Sequence, residues 1–186
     1  MTPVSEPARY PLAPHAASPQ TAAERLVADV ARGEQNCLQL RFRLTGDIAA
    51  LVLPTPAEPV RTDGLWRHTC FEAFIAAADS PEYWEFNFSP SGAWAAYHFG
   101  AYRAGMEPVA EATAPVMTRE AGADEFTLAV TLDLGWLPRA HAGSGLRLGL
   151  TAVIEDRAQG LSYWALKHGA EKPDFHRADG FLVALA

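Results

Sequence analysis

The chain has 186 residues and a formal net charge of −7, from 15 Lys plus Arg against 22 Asp plus Glu. A length of this order suits one domain and buries about 70% of the unfolded surface, enough for a real core. The 49% hydrophobic and 20% charged content is that of a globular protein. An acidic balance with no long basic run argues against nucleic-acid partners, which require phosphate neutralisation. No apolar run approaches the roughly 18 residues of a membrane span. The opening residues, MTPVSEPARYPLAPHAASPQ, lack the apolar segment of a signal peptide, so a cytoplasmic location is expected. Cys37 and Cys70 lie in separate strand-like segments. They read as two buried thiols, since a disulfide would need an oxidising compartment.

Residues 1–17 are rich in Pro and Ala, with Pro3, Pro7, Pro11 and Pro14. Proline excludes a helix or a central strand, leaving an extended arm along the domain edge. Residues 18–186 are expected to form a single domain. The segment TAAERLVADVAR is ambiguous: Ala22, Leu26 and Val30 approach helical spacing, whereas Leu26, Ala28 and Val30 alternate as in a strand. Residues 37–44 are unambiguous, because Leu38, Leu40, Phe42 and Leu44 alternate with Gln39, Arg41 and Arg43. A turn at Thr45, Gly46 and Asp47 leads to a short expected strand at 48–53. A proline-rich connector follows and ends at the Asp63-Gly64 turn signal.

Residues 65–99 hold three of the five tryptophans, Trp66, Trp84 and Trp94. Residues 65–76 read as a strand. In 83–88, Trp84, Phe86 and Phe88 take one face, while Tyr83, Glu85 and Asn87 take the other. The tight turn SPSG returns the chain into 93–99 as the antiparallel partner. Further strands are expected at 116–120, 125–132, 145–156, 161–166 and 181–185, with one helical turn within 133–141. The sum is an all-β antiparallel sandwich, jelly-roll or immunoglobulin-like, with little helix.

Several stretches carry a family resemblance: DGLWRHTCFEAF from Asp63, YWEFNFSPSGAWAAY from Tyr83, SYWALKH from Ser162, PDFH from Pro173 and DGF from Asp179. Over residues 10–185 the chain resembles bacterial DOMON-like domain proteins, which are related to family 9 carbohydrate-binding modules. The resemblance implies a β-sandwich and favours a strand over a helix at 25–30. It also implies non-catalytic binding of a sugar or, elsewhere in the superfamily, of haem.

Sugar sites combine flat apolar rings with planar polar groups that bond hydroxyls directionally. Trp66 and Trp164 are the candidate platforms, since polar residues and turns flank them. Glu72, Glu85, Asn87 and Arg103 are the candidate polar partners, with Lys167 and His168 near a strand end. The alternative is structural: Glu85 pairs with Arg103 or Arg67, Asn87 satisfies a loop backbone, and Trp84 and Trp136 are core. A haem site would draw axial ligands from Met106, Met117, His68, His98, His168 and His176, although no C-x-x-C-H motif occurs. No cofactor is the expectation. Glu72 and Glu85 are also the one conceivable glycosidase pair. Asp174 with His176 lacks a third metal ligand, and lone acids such as Asp79 or Asp133 say little about calcium. The expected ligand is sugar-like, with a protein partner as the other reading, because polysaccharide targets lie outside the cell.

Overall fold

The protein is described by a computed structural model covering residues 7–33, 36–77, 80–137 and 145–185. Asp79 and His141 lie outside the described residues. Twelve strands are described: β1 (Ala8–Pro14), β2 (Ala23–Arg32), β3 (Cys37–Gly46), β4 (Cys70–Ala77), β5 (Tyr83–Phe88), β6 (Trp94–Phe99), β7 (Glu107–Pro108), β8 (Val116–Ala121), β9 (Glu125–Asp133), β10 (Leu146–Asp156), β11 (Gly160–Ala165) and β12 (Val183–Leu185). All pair antiparallel in the order β7-β6-β5-β4-β10-β11-β1-β2-β3-β9-β8, with β12 added to β10.

The sheet folds over on itself at β1. Residues 8–12 pair with β2, whereas Ala13 and Pro14 pair with β11. β1 is therefore the edge of both layers, and an edge is where proline is tolerated. The first layer is β1-β2-β3-β9-β8 and the second runs from β11 to β7. The layers face each other across one core, in which Phe71 of β4 stands 5.1 Å from Phe42 of β3 and 6.0 Å from Phe126 of β9. Trp84, Phe86 and Phe88 belong to this core, as their alternation requires.

Two expected strands are shorter or absent. Residues 48–50 form a 3-10 turn, because Asp47 caps it by accepting the Ala49 N–H at 3.1 Å. Residues 65–67 form another, started by Gly64 at φ 75°, so the strand expected at 65–76 begins only at Cys70. The ambiguous segment is strand β2, not helix. Around 133–141, the described part is a turn closed by the Leu137 N–H on the Leu134 carbonyl at 3.0 Å.

The second layer departs from a simple sandwich in one respect that positions the site. Every residue of β4 and β5 is buried. The inner face meets the first layer. The outer face is covered by residues 166–181, which carry Phe175 and Phe181, and by the turn at 65–67. A second apolar cluster of Phe74, Tyr83, Tyr97, Phe99 and Phe181 fills this outer side, with Leu65 and Phe175 packed against it.

Candidate functional site

Between the outer face of the second layer and its cover lies a cavity of about 380 Å3. Its floor is built by register. Glu72 on β4 stands opposite Asn87 of β5 on one side and Thr151 of β10 on the other. Glu85 is two residues from Asn87 and so shares its face. Glu72 and Glu85 line the cavity, and Trp66, Phe74, Phe99, Tyr163, Phe175 and His176 form much of the rest, with Arg103, Met106, Val153 and Pro173.

The floor is fully hydrogen-bonded below and open above. Thr151 Oγ1 donates to Glu72 Oε2 at 2.8 Å. Asn87 Nδ2 donates to Glu85 Oε1 at 2.7 Å, and the Cys70 thiol lies 3.5 Å from Asn87 Oδ1. Burial, reinforced by the neighbouring Glu85 charge, pushes the Glu72 carboxyl up to about 8 despite the Thr151 hydroxyl. Burial likewise raises Glu85, against the Asn87 amide and the Arg103 charge. A carboxylate in low dielectric beside a like charge holds its proton.

The rim is ordered by a second network. Arg103 sits in the left-handed region at φ 52°. Its backbone N–H donates to the Tyr83 hydroxyl at 3.1 Å, and Tyr83 lies 2.8 Å from His176 Nδ1. With the Tyr83 proton given to Nδ1, neutral His176 carries its own proton on Nε2, which faces Glu85 Oε2 at 3.9 Å. Burial and the Arg103 charge lower His176 to about 4, so its ring is neutral near pH 7. The Arg103 guanidinium bonds Asp174 at 2.8 and 3.2 Å, and the Tyr102 hydroxyl donates to the same carboxylate. Asp63 accepts the Tyr97 hydroxyl at 2.6 Å and fixes the turn that presents Trp66, whose ring stands edge-on to Tyr97 at 6.1 Å.

The structure brings together Trp66, Glu72, Glu85 and Arg103 on the cavity, with Asn87 wholly buried beneath it. Among the described residues Glu85 pairs with neither Arg103 nor Arg67: its hydrogen-bond donor is Asn87, and Arg103 turns instead to Asp174. Three candidates lie elsewhere. Trp164 pairs across from Ala152 and faces the core, its indole N–H bonding Ser162 Oγ at 3.0 Å. The adjacent Tyr163 has the opposite parity and supplies the cavity wall instead, 6.1 Å from Phe175. Lys167 is exposed and 3.3 Å from Asp179. His168 Nε2 reaches the Ala13 carbonyl at 2.8 Å, and its ring packs on His15 and, at 6.5 Å, on Phe175, so it backs the cavity wall without lining the cavity.

Of the Met and His residues weighed as axial ligands, Met106 and His176 reach the cavity. His68 bonds Glu155 at 2.8 Å, His98 packs on Trp84, and Met117 packs on the inner core. Among the described residues, no three His, Cys, Asp or Glu side chains are grouped to hold a metal ion. A larger hollow of about 610 Å3 lies on the exposed face of the first layer, but no aromatic ring lines it. Its Arg9 and Arg43 are already held by Asp29 at 2.7 and 2.5 Å.

These features define a two-layer β protein with an aromatic-walled, acid-floored cavity on the outer side of one sheet. No family model matches the chain. No curated protein matches it either. Among solved structures, the fold is similar to that of "a putative carbohydrate-binding protein" from Bacteroides uniformis. The likeness has a TM-score of 0.64 at 15% identity and covers 94% of this chain and 84% of that one. At that identity it establishes a shared fold. No helix among the described residues is long and apolar enough to cross a membrane.

Proposed function

We propose that this chain is a non-enzymatic binding module of the DOMON-like kind, taking a small sugar or related polar ligand in the cavity above Glu72 and Glu85. The observation that carries the reading is the pairing of ring faces with planar acceptors whose free oxygens open into the same cavity. Trp66, Tyr163 and Phe175 offer apolar surface, and the two carboxyl groups offer directional bonds to hydroxyls. The fold shared with a protein named for carbohydrate binding supports this reading. The motif resemblance from Asp63 to Trp94 points the same way. The placement of the acids supports a non-catalytic role. Both carboxyl groups rise from the floor, while rings, Pro173 and a neutral His176 face them, so among the described residues no second acid lines the cavity opposite the pair. The size of the cavity and the expected cytoplasmic location favour soluble mono- or disaccharides over polymers.

The test is a calorimetric and thermal-shift screen of mono- and disaccharides against the full chain and two variants. Trp66→Ala and Tyr163→Ala are each expected to weaken binding at least tenfold, about 1.4 kcal/mol, the scale of one ring contact. Trp66 is 36% exposed, so its variant keeps nearly wild-type stability. Trp164→Ala is the contrasting change: it costs about 3–5 kcal/mol of stability through an interior cavity. A screen with no response to any sugar, or variants that bind as wild type, overturns the reading.

A further inference from the structure

The cavity floor has an imbalance of charge that a neutral sugar does not correct. Glu72 is 2% exposed and Glu85 5% exposed, and both face the cavity. Each commits one oxygen to a neutral donor, Thr151 or Asn87. The remaining oxygen of each receives no hydrogen bond from any described residue. No cation bonds the pair among the described residues: the Arg103 guanidinium is held by Asp174 and reaches Glu85 only through its field, and His176, neutral near pH 7, stops 3.9 Å short of Glu85. The other groups facing the floor are the Cys70 thiol, Tyr83 bonded to His176, and Tyr97 bonded to Asp63. None of them brings a positive charge. Ionising both buried carboxyl groups with no cation bonded to either is costly.

We propose that the ligand bears a protonated amine, whose N–H groups bond the free oxygens of Glu72 and Glu85 beneath the rings of Trp66, Tyr163 and Phe175. The inference deepens the sugar-binding reading and rests on it for the cavity's use; an amino sugar satisfies both. An ammonium group has three donors, enough for both free oxygens. Ring faces beside it add cation–π attraction, which a hydroxyl does not gain. The chemistry also fixes a proton balance. The empty pair retains a proton near neutral pH, since burial and mutual repulsion hold it. When R–NH3+ binds, that carboxylic acid ionises and its proton passes to the buffer, so complex formation releases up to one proton per ligand.

The experiment titrates the full chain at pH 7 with glucosamine, N-acetylglucosamine, glucose and the diamine cadaverine, in two buffers of different ionisation enthalpy. Glucosamine is expected to bind at least tenfold more tightly than glucose or N-acetylglucosamine, with buffer-dependent heat that reports proton release. Glu72→Gln and Glu85→Gln keep the floor's shape, and each is expected to reduce glucosamine affinity at least tenfold. Their thermal midpoints are expected at or above wild type, so loss of binding is not loss of fold. If glucose and N-acetylglucosamine match glucosamine, the amine inference is overturned and the carbohydrate reading stands. If cadaverine binds and no sugar does, the amine inference stands and the carbohydrate reading falls. If none of the four binds, both fall.

Discussion

Glu72 sets how the folded chain answers to pH. In the unfolded chain its carboxyl titrates near the ordinary 4.5, while in the fold burial and Glu85 carry it to about 8. Between those values the folded chain binds more protons than the unfolded one, so stability falls as pH rises through the window. The full benefit of protonation is present below about 4.5 and is gone above about 8. Glu72→Gln keeps an acceptor for the Thr151 hydroxyl and abolishes the titration. The expected result is a wild-type melting temperature that declines from pH 5 to pH 8.5 and a variant profile that is flatter and higher at the alkaline end. At about 1.4 kcal/mol per pH unit across that window, the gap at pH 8.5 is on the order of 4–5 kcal/mol, or roughly 10 degrees or more, read by circular dichroism melts. Parallel profiles for the two proteins would show that Glu72 ionises freely. Asp29 acts in a different window with the opposite sign. Held between Arg9 and Arg43, it stays below the ordinary carboxylate range although burial opposes this. Its contribution is present above about 4 and is lost as pH falls further.

At the scale of elements, the cover over β4, β5 and β10 depends on a missing side chain. Gly149 of β10 lies directly under Phe181, and a Cβ there would come within 2.4 Å of the Phe181 ring. Phe181 in turn stacks on Phe74 at 5.6 Å and closes the outer cluster next to the cavity. Gly149→Ala is therefore expected to displace the ring and cost about 1–3 kcal/mol, measured by urea unfolding, although alanine suits a strand better than glycine. An unchanged or raised midpoint would mean the ring shifts freely. The same double covering explains what could be read from the sequence. In β3 and β9 one face is buried and the other meets water, so Leu38 to Leu44 and Phe126 to Leu132 alternate visibly. In β5 the alternation between Trp84 and Glu85 separates two buried faces, and the polar one holds the site. In β11 both Tyr163 and Trp164 are apolar enough for either face. Only the pairing of Trp164 with Ala152 and of Tyr163 with Val153 decides which ring reaches the cavity. Phe175 is not legible as a wall residue for another reason, and His176 reads from the sequence only as a conceivable haem ligand. Their segment, 166–181, is polar by composition, and its docking is a long-range contact that no local period encodes. The signal available was the presence of Phe175 and Phe181 in a stretch otherwise fit for solvent.

Across the whole molecule, β1 links both layers to the cover. It closes the first layer through five register pairs with β2 and reaches the second through Ala13 and Pro14. Just beyond it, His15 Nε2 meets the Ala170 carbonyl at 3.0 Å, and the Ala13 carbonyl meets His168 Nε2 at 2.8 Å. The proline-rich arm thus fastens the segment that carries Asp174, Phe175 and His176 to the site. Two perturbations separate these roles. Removing residues 1–14 bares the edges of β2 and β11 and deletes the His168 partner. That protein is expected to associate in solution and to lose more than about 3 kcal/mol of stability, read by gel filtration and urea unfolding. His15→Ala leaves every strand pair in place and removes the tie to Ala170 together with the ring contact to His168. Its expected cost is about 1–2 kcal/mol, with amide exchange quickening across 166–181 while β2 and β3 keep wild-type protection. Exchange that quickens uniformly, or not at all in 166–181, would separate the arm from the cavity. Ligand affinity should then be untouched by His15→Ala. Faster exchange confined to the cover should instead weaken binding by the fraction of time the wall of Phe175 and His176 is displaced.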